Sequence, residues 1–175
     1  MDSLIAWLHA IGWSAYAGGP ITMEWVLRYA QRTMPPSQVA VVCQRAGHLY
    51  RWFSLAALAV TGATGLLLWL QLDNADLAGR PRHPRMSLGD PYGRTLLVLA
   101  IDWMILVALV SAMAFWLHPA QSRRSRPHMT PEEIQQERAR VGRAIKHMEW
   151  VLRSEFVLSI VAVGLGASLH AGGLF

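Results

Sequence analysis

His9 and His170 each lie within a long apolar stretch of the chain, one near its beginning and the other near its end. From His9, steps of three and four residues pick out Trp13, Tyr16, Pro20 and Met23 along one helical stripe, with Gly12 and Gly19 beside it. Small residues there let a second helix, or a flat ligand, approach the backbone. The same period upstream of His170 gives Glu155, Ser159, Ala162 and Gly166, a small and polar stripe down a helix otherwise made of Val, Leu and Ile. Lipid does not favour such a face, so it is expected to point inward. Imidazole nitrogen is a normal ligand of haem iron, and facing helices of a bundle are a usual place to hold one. His9 and His170 are therefore the candidate metal ligands, opposed across one haem b, with Trp13, Tyr16 and Gly166 lining its site. The plainer alternative is a pair of interfacial histidines that hydrogen-bond where they stand.

Three more histidines, His48, His118 and His147, fall at or just beyond the other ends of the apolar stretches, where they offer ligands for a second haem. Asp102 is the one full charge across the four apolar stretches 3–23, 52–72, 95–117 and 156–175. Ionised and alone at a helix centre it costs about 2.5 kcal/mol or more, so it either takes up a proton or meets a partner such as Arg94 or Arg51. A proton relay and a structural inter-helix hydrogen bond both fit it.

These residues need helices long enough to carry them. A bilayer core of about 30 Å takes about 20 apolar residues at 1.5 Å per residue. Residues 3–27, 48–72, 94–118 and 148–171 meet that length, which predicts an all-α fold: a four-helix transmembrane bundle of up-down topology, one integral membrane domain over residues 1–175. A chain of 175 residues that is 53% hydrophobic and 15% charged suits such a bundle. Asp2 is the only charge before Glu24, so the first stretch lacks the positive region of a secretory signal and is expected to stay as a helix. Cys43 is the only cysteine, which excludes an internal disulfide and suggests a small buried hydrophobe.

Basic residues set the orientation. Loops one and three with the adjoining helix ends hold 12 of the 16 Lys and Arg residues, and the opposite side holds Arg80, Arg82, Arg85 and Arg94. That asymmetry predicts loops one and three in the cytoplasm and both termini outside. The net charge of +5 then reflects topology and anionic lipid headgroups, with no nucleic acid partner. In loop three, Thr130-Pro131-Glu132-Glu133 has a capping threonine, proline at the first helical position and a glutamate three residues on, so a helical cytoplasmic extension over 131–147 is expected. In loop two, residues 73–94, Pro81, Pro84, Pro91, Gly79, Gly89 and Gly93 predict an irregular segment over the outer mouth, either a lid or a connector. Gly18-Gly19-Pro20 predicts a kink near the middle of the first span.

Met23-Glu24-Trp25-Val26-Leu27-Arg28 recurs letter for letter as Met148-Glu149-Trp150-Val151-Leu152-Arg153. Both copies fall at the cytoplasmic face, so this is not an inverted symmetry repeat. Each offers a Glu-to-Arg pair at i,i+4 beside an interfacial Trp. They are either two interfacial anchors or the lining of a shared entrance for an acidic substrate or protons.

With these residues placed, the chain resembles the superfamily of HemJ-type protoporphyrinogen oxidases and CopD-type copper-resistance membrane proteins. The resemblance rests on Trp7-Leu8-His9-Ala10-Ile11-Gly12-Trp13 followed by Gly18-Gly19, on His48-Leu49-Tyr50-Arg51, and on Leu152-Arg153-Ser154-Glu155. It implies that His9 matches a histidine involved in haem b binding and that Arg51 and Glu155 match polar positions near the active cavity. HemJ-type proteins carry a histidine followed closely by lysine at the start of the third span, where this chain has Pro91-Tyr92-Gly93-Arg94. The expectation is a b-type haem redox protein of the bacterial inner membrane, passing electrons with quinone or oxidising a porphyrinogen. In the enzymatic version Glu155 handles protons and Arg51 substrate carboxylates, with Asp102 as a further proton group. Two alternatives stand beside it. One is copper transport, with Met23, Met104, Met113 and Met148 as soft ligands for Cu(I). The other is a cofactor-free accessory or assembly subunit, either a homo-oligomer or part of a larger membrane complex.

Overall fold

The computed structural model describes residues 2–74, 89–117, 130–169 and 171–174, and all regular structure among them is helical. The expectations for His118, for His170 and for most of loop two fall outside the described residues, as do those for the side chains of Glu24, Arg28 and Cys43.

Five α-helices follow one another. Helix α1 runs Asp2–Ile21, and a wider π turn over Thr22–Leu27 joins it to the short α2, Arg28–Thr33. Pro20 cannot donate the backbone hydrogen bond of its turn, so the ladder loosens just after it. The Thr22 hydroxyl satisfies the Gly18 carbonyl at 2.8 Å. The break thus comes at the end of α1, later than the kink expected at mid-span. Only Met34 and Pro35 separate α2 from α3, Pro36–Asn74, so what looked like a first loop is almost entirely helix.

Helix α4, Pro91–Ala112, opens on a cap: the Asp90 carboxylate accepts from the Gly93 N–H at 3.1 Å, and Pro91 occupies the first helical position. Pro91 and Gly93 therefore belong to the helix and not to loop two. A second π turn over Met113–Leu117 ends this segment. Helix α5, Pro131–Leu169, starts as the sequence pattern predicts: the Glu133 N–H donates to Thr130 Oγ1 at 3.3 Å and the Thr130 N–H donates to Glu133 Oε2 at 2.7 Å. It ends in a Schellman cap. The Gly173 N–H donates to the Ser168 carbonyl at 3.0 Å and the Gly172 N–H to the Leu169 carbonyl at 3.2 Å, with Gly172 and Gly173 both at positive φ.

Helices α1, α3, α4 and α5 pack in a ring, α1 on α3, α3 on α4, α4 on α5 and α5 back on α1. Specific contacts set the registers. Gly12 of α1 approaches Ala57 and Thr61 of α3, while Gly19 lies against the Tyr50 ring, so these helices run antiparallel. Trp103 Nε1 donates to the Leu58 carbonyl at 3.2 Å and Arg51 reaches the Ala114 carbonyl, which makes α3 and α4 antiparallel as well. At the far end the Leu174 N–H donates to Thr95 Oγ1 at 2.9 Å, tying the end of the chain to the start of α4.

The apolar centre of the ring is Tyr16, Ala57, Leu58, Leu106 and Val110, with Trp13, Trp103 and Leu158 packed around it. Outward the surface is also apolar: Trp7, Ile11, Leu49, Phe53, Leu66, Ile101, Met104, Val157 and Ile160 are all exposed. Water would penalise that surface and hydrocarbon would not. Three helical stretches are long and apolar enough to cross a membrane, Arg45–Leu70, Pro91–Leu117 and Lys146–Leu169, and they fit a membrane protein. Helix α1 is 20 residues long but is not among them, because His9, its glycines and Pro20 dilute its apolar content.

Candidate functional site

Two polar groupings occupy the inner faces of the ring, at different depths. The deeper one, toward the ends bearing the two hexapeptides, is built from Tyr16, Tyr50, Ser54, Asp102, Glu155 and Ser159, all buried. Each arrives by simple helical geometry. On α3 the inward positions Tyr50, Ser54, Ala57, Leu58, Thr61 and Thr64 recur at threes and fours, and on α5 Glu155, Ser159, Ala162 and Leu165 do the same. The inward stripe expected on α5 is thus found, except that Gly166 is half-buried with no described atom within 4 Å of where a Cβ would stand.

Glu155 is fully buried. The Tyr50 hydroxyl donates to its Oε2 at 2.8 Å, and the Ser159 hydroxyl donates to its backbone carbonyl at 2.6 Å. Its Oε1 has no hydrogen-bond partner among the described residues. The Tyr16 hydroxyl, the Ser54 hydroxyl and Asp102 Oδ2 are likewise buried and unpartnered. The charges of Glu155 and Asp102 both reach the Tyr16 hydroxyl, and Ser159 is beside it with its own proton already given to α5. Unsatisfied groups of this kind each cost about 1–3 kcal/mol, so four in one core mark a place the fold retains for a reason other than stability.

Arg51 belongs to a different place. Its Nη1 donates to the Ala114 carbonyl at 3.2 Å, its Nη2 to His48 Nδ1 at 2.9 Å, and its guanidinium lies 5.2 Å from the Trp52 ring centroid. The π turn over Met113–Leu117 disturbs the regular ladder, and Arg51 covers one of its carbonyls. Neither Arg51 nor Arg94 meets Asp102: Arg94 is exposed and its Nε reaches back to the Asp90 carbonyl at 3.5 Å. The ion pair expected for Asp102 is therefore not formed with either arginine.

The outer grouping centres on His9. Its Nδ1 lies 3.0 Å from the Thr61 carbonyl and 3.1 Å from Thr64 Oγ1. The Thr64 hydroxyl gives its proton to the Val60 carbonyl at 2.6 Å, so both neighbours of Nδ1 are acceptors. Nδ1 must carry the proton, and in the neutral ring Nε2 keeps the lone pair. Gly65 lets the imidazole sit close, since a Cβ there would be 3.2 Å from His9 Cε1. This is how a metal-ligating histidine is held: one nitrogen fixed by a backbone carbonyl and the other left to bind.

His48 is held in the opposite sense. A guanidinium only donates, so His48 Nδ1 accepts and the proton of the neutral ring lies on Nε2, which leaves no lone pair for a metal in this arrangement. His147 is exposed on α5. Trp13 packs at the edge of the core with its ring 5.8 Å from that of Tyr16. Of the methionines, Met113 is buried in the core while Met104 is exposed on the same helix, so these two do not share an ion. Among the described residues no group of three or more His, Cys, Asp or Glu is gathered for a metal ion.

Sequence reasoning passed over Tyr50 and Ser54. The signal was present, a tyrosine and a serine at i,i+4 on the face of α3 that continues to Thr61 and Thr64. No family model, no curated protein and no solved structure matches this chain.

Proposed function

We propose that the chain is an integral membrane redox protein carrying haem b. It is a four-helix up-down bundle in the bacterial inner membrane with both ends outside, exchanging electrons with quinone or, in the manner of HemJ-type proteins, with a porphyrinogen. One observation carries the reading: His9 Nδ1 is anchored on the Thr61 carbonyl and Thr64 Oγ1, which fixes the tautomer a metal ligand needs.

On donor chemistry His9 would hold a haem iron through Nε2. His170, which follows the described end of α5, is the proposed second ligand. A bound haem would supply one-electron chemistry. The chain's own residues do the rest: Thr61 and Thr64 of α3 orient the His9 ring, and Trp13, one turn along α1, packs against the apolar core. The polar cytoplasmic extension of α5, exposed over residues 131–136, offers a surface for self-association or for a larger membrane complex.

The test is spectroscopic. Protein purified from haem-replete cells is expected to be red, with a Soret band that sharpens on dithionite reduction. His9→Ala and His170→Ala should each remove or shift that band, whereas His48→Ala should leave it. A colourless preparation overturns the reading, and copper found in its place would favour metal transport.

A further inference from the structure

We infer that Tyr16, Tyr50, Glu155 and Asp102 form a proton-transfer site inside the membrane, passing one proton between Glu155 and Asp102 by way of the Tyr16 hydroxyl. This rests on the membrane part of the reading above and not on the haem.

Depth is the first argument. Tyr50, bonded to Glu155, faces Gly19, and Gly12 faces Ala57 and Thr61, so Tyr16 lies between them at about the depth of Ser54. Trp103 is bonded to the Leu58 carbonyl, which puts Asp102 one further step along. Beyond it come Thr61, Thr64 and His9. From Tyr50 to Thr64 this column covers fourteen residues of α3, about 21 Å at 1.5 Å per residue, most of the way through a bilayer core. Polar groups from four helices thus follow one another along the bundle axis.

The second argument is satisfaction. A structural hydrogen-bond network closes on itself, because an unmade bond in a low-dielectric core costs more than the bond contributes. Among the described residues Glu155 Oε1 and Asp102 Oδ2, the two ends a proton would use, have no hydrogen-bond partner, and the Tyr16 and Ser54 hydroxyls make no well-formed bond although Ser159 and Tyr50 are beside them. Glu155 and Tyr16 are each fully buried. Among the described residues no cation pairs with them: Arg51 is turned to Ala114 and His48, and Arg153 is exposed. Ionisable residues in this position inside a membrane mark ion and proton paths.

The step balances without any co-reactant. With Glu155 protonated at Oε1, that O–H bond breaks as a new one forms to the Tyr16 oxygen, through a bridging water where the gap exceeds hydrogen-bond length. In the same movement the original Tyr16 O–H bond breaks toward Asp102 Oδ2. The products are a Glu155 carboxylate, a neutral Tyr16 phenol and a protonated Asp102. Rotation about the phenolic C–O bond resets Tyr16. Tyr50 stays in place, donating to Oε2, and holds the carboxyl in register throughout.

The experiment uses the full chain in potassium-loaded liposomes with a trapped pH dye and valinomycin to impose a potential. Wild type is expected to move protons faster than protein-free vesicles. Glu155→Gln, Asp102→Asn and Tyr16→Phe should each lower the rate about tenfold or more, with Glu155→Asp recovering part of it. Thermal melts of each variant check that it is folded. Infrared spectra add a second readout: a deuterium-sensitive carbonyl band of a protonated carboxyl should be present in wild type, shifted in Glu155→Asp, and lost when Glu155→Gln and Asp102→Asn are combined. Wild-type flux no greater than that of empty vesicles overturns the inference, and so does unchanged flux in folded Glu155→Gln. The two readings fail separately: a colourless wild type that still moves protons overturns the haem alone, and a red wild type that moves none overturns this inference alone.

Discussion

Tyr16 and Tyr50 are both buried phenols on inward faces, yet the two hydroxyls have opposite fates. Tyr50 donates to Glu155, whereas the Tyr16 oxygen has no partner among the described residues. Substituting each by phenylalanine should therefore separate stability from function. Tyr50→Phe leaves Glu155 with both oxygens unpartnered and is expected to cost about 1–3 kcal/mol. Tyr16→Phe removes a hydroxyl with no well-formed bond, only Ser159 being beside it, so its folding free energy should change less than that of Tyr50→Phe while its proton flux falls. Reversible unfolding of the two variants in mixed micelles checks the first half of this contrast. Equal losses in both would mean that Tyr16 does have a partner. The anchored His9 ring makes the same point for another atom, since the carbonyl of Thr61 decides which nitrogen faces a ligand.

At the scale of the helix, close approach depends on glycine at two positions of α1. A Cβ on Gly19 would stand 2.5 Å from Tyr50 Cε2, and one on Gly12 would stand 2.8 Å from Thr61 Oγ1. Gly19→Val is expected to push the Tyr50 ring off Glu155 and destabilise the protein by about 1–3 kcal/mol. At Gly164 a Cβ meets nothing, so Gly164→Ala should be neutral or stabilising by up to about 1 kcal/mol from helix propensity alone. Comparing the unfolding midpoints of the pair tests it. At the start of α5, Thr130→Ala should cost about 1 kcal/mol locally, seen as faster amide exchange over residues 131–134. That cap was legible in the sequence because all its partners lie within four residues of one another. The inward stripes of α1 and α5 were legible for a similar reason, the regular period of a helix against a sharp change of solvent. The π turn was not. The identical hexapeptide is wound as a π turn after Pro20 and as ordinary α-helix within α5, so the difference comes from what precedes it and not from its own residues. Nor could local pattern show which way Arg51 turns or that Tyr50 meets Glu155, because those pairings join residues 63 and 105 positions apart.

For the whole molecule, the registers bear on a question that hydropathy leaves open, namely what α1 does beside the three helices long and apolar enough to cross a membrane. Alone it is less apolar than they are, but it runs along α3 from the depth of Gly65 to that of Tyr50 and turns Gly12, Tyr16 and Pro20 inward. On the proposed reading α3 spans the membrane, and a helix held antiparallel to it over that depth crosses with it. The ends then follow from charge. Exposed Arg45, Arg140, Arg143, Lys146 and Arg153 lie toward the end where Trp25, Trp116 and Trp150 are also exposed, the composition that the proposed orientation expects of a cytoplasmic interface. In a Cys43→Ser background, single cysteines at Ser3, Gln38 and Leu174 test this arrangement with a membrane-impermeant thiol reagent. Ser3→Cys and Leu174→Cys should react in intact cells or right-side-out vesicles, and Gln38→Cys only in inverted ones. Labelling of Ser3→Cys from the same side as Gln38→Cys would mean that α1 does not cross. His9 would then lie outside the hydrocarbon, and the case for a membrane-embedded iron ligand would go with it.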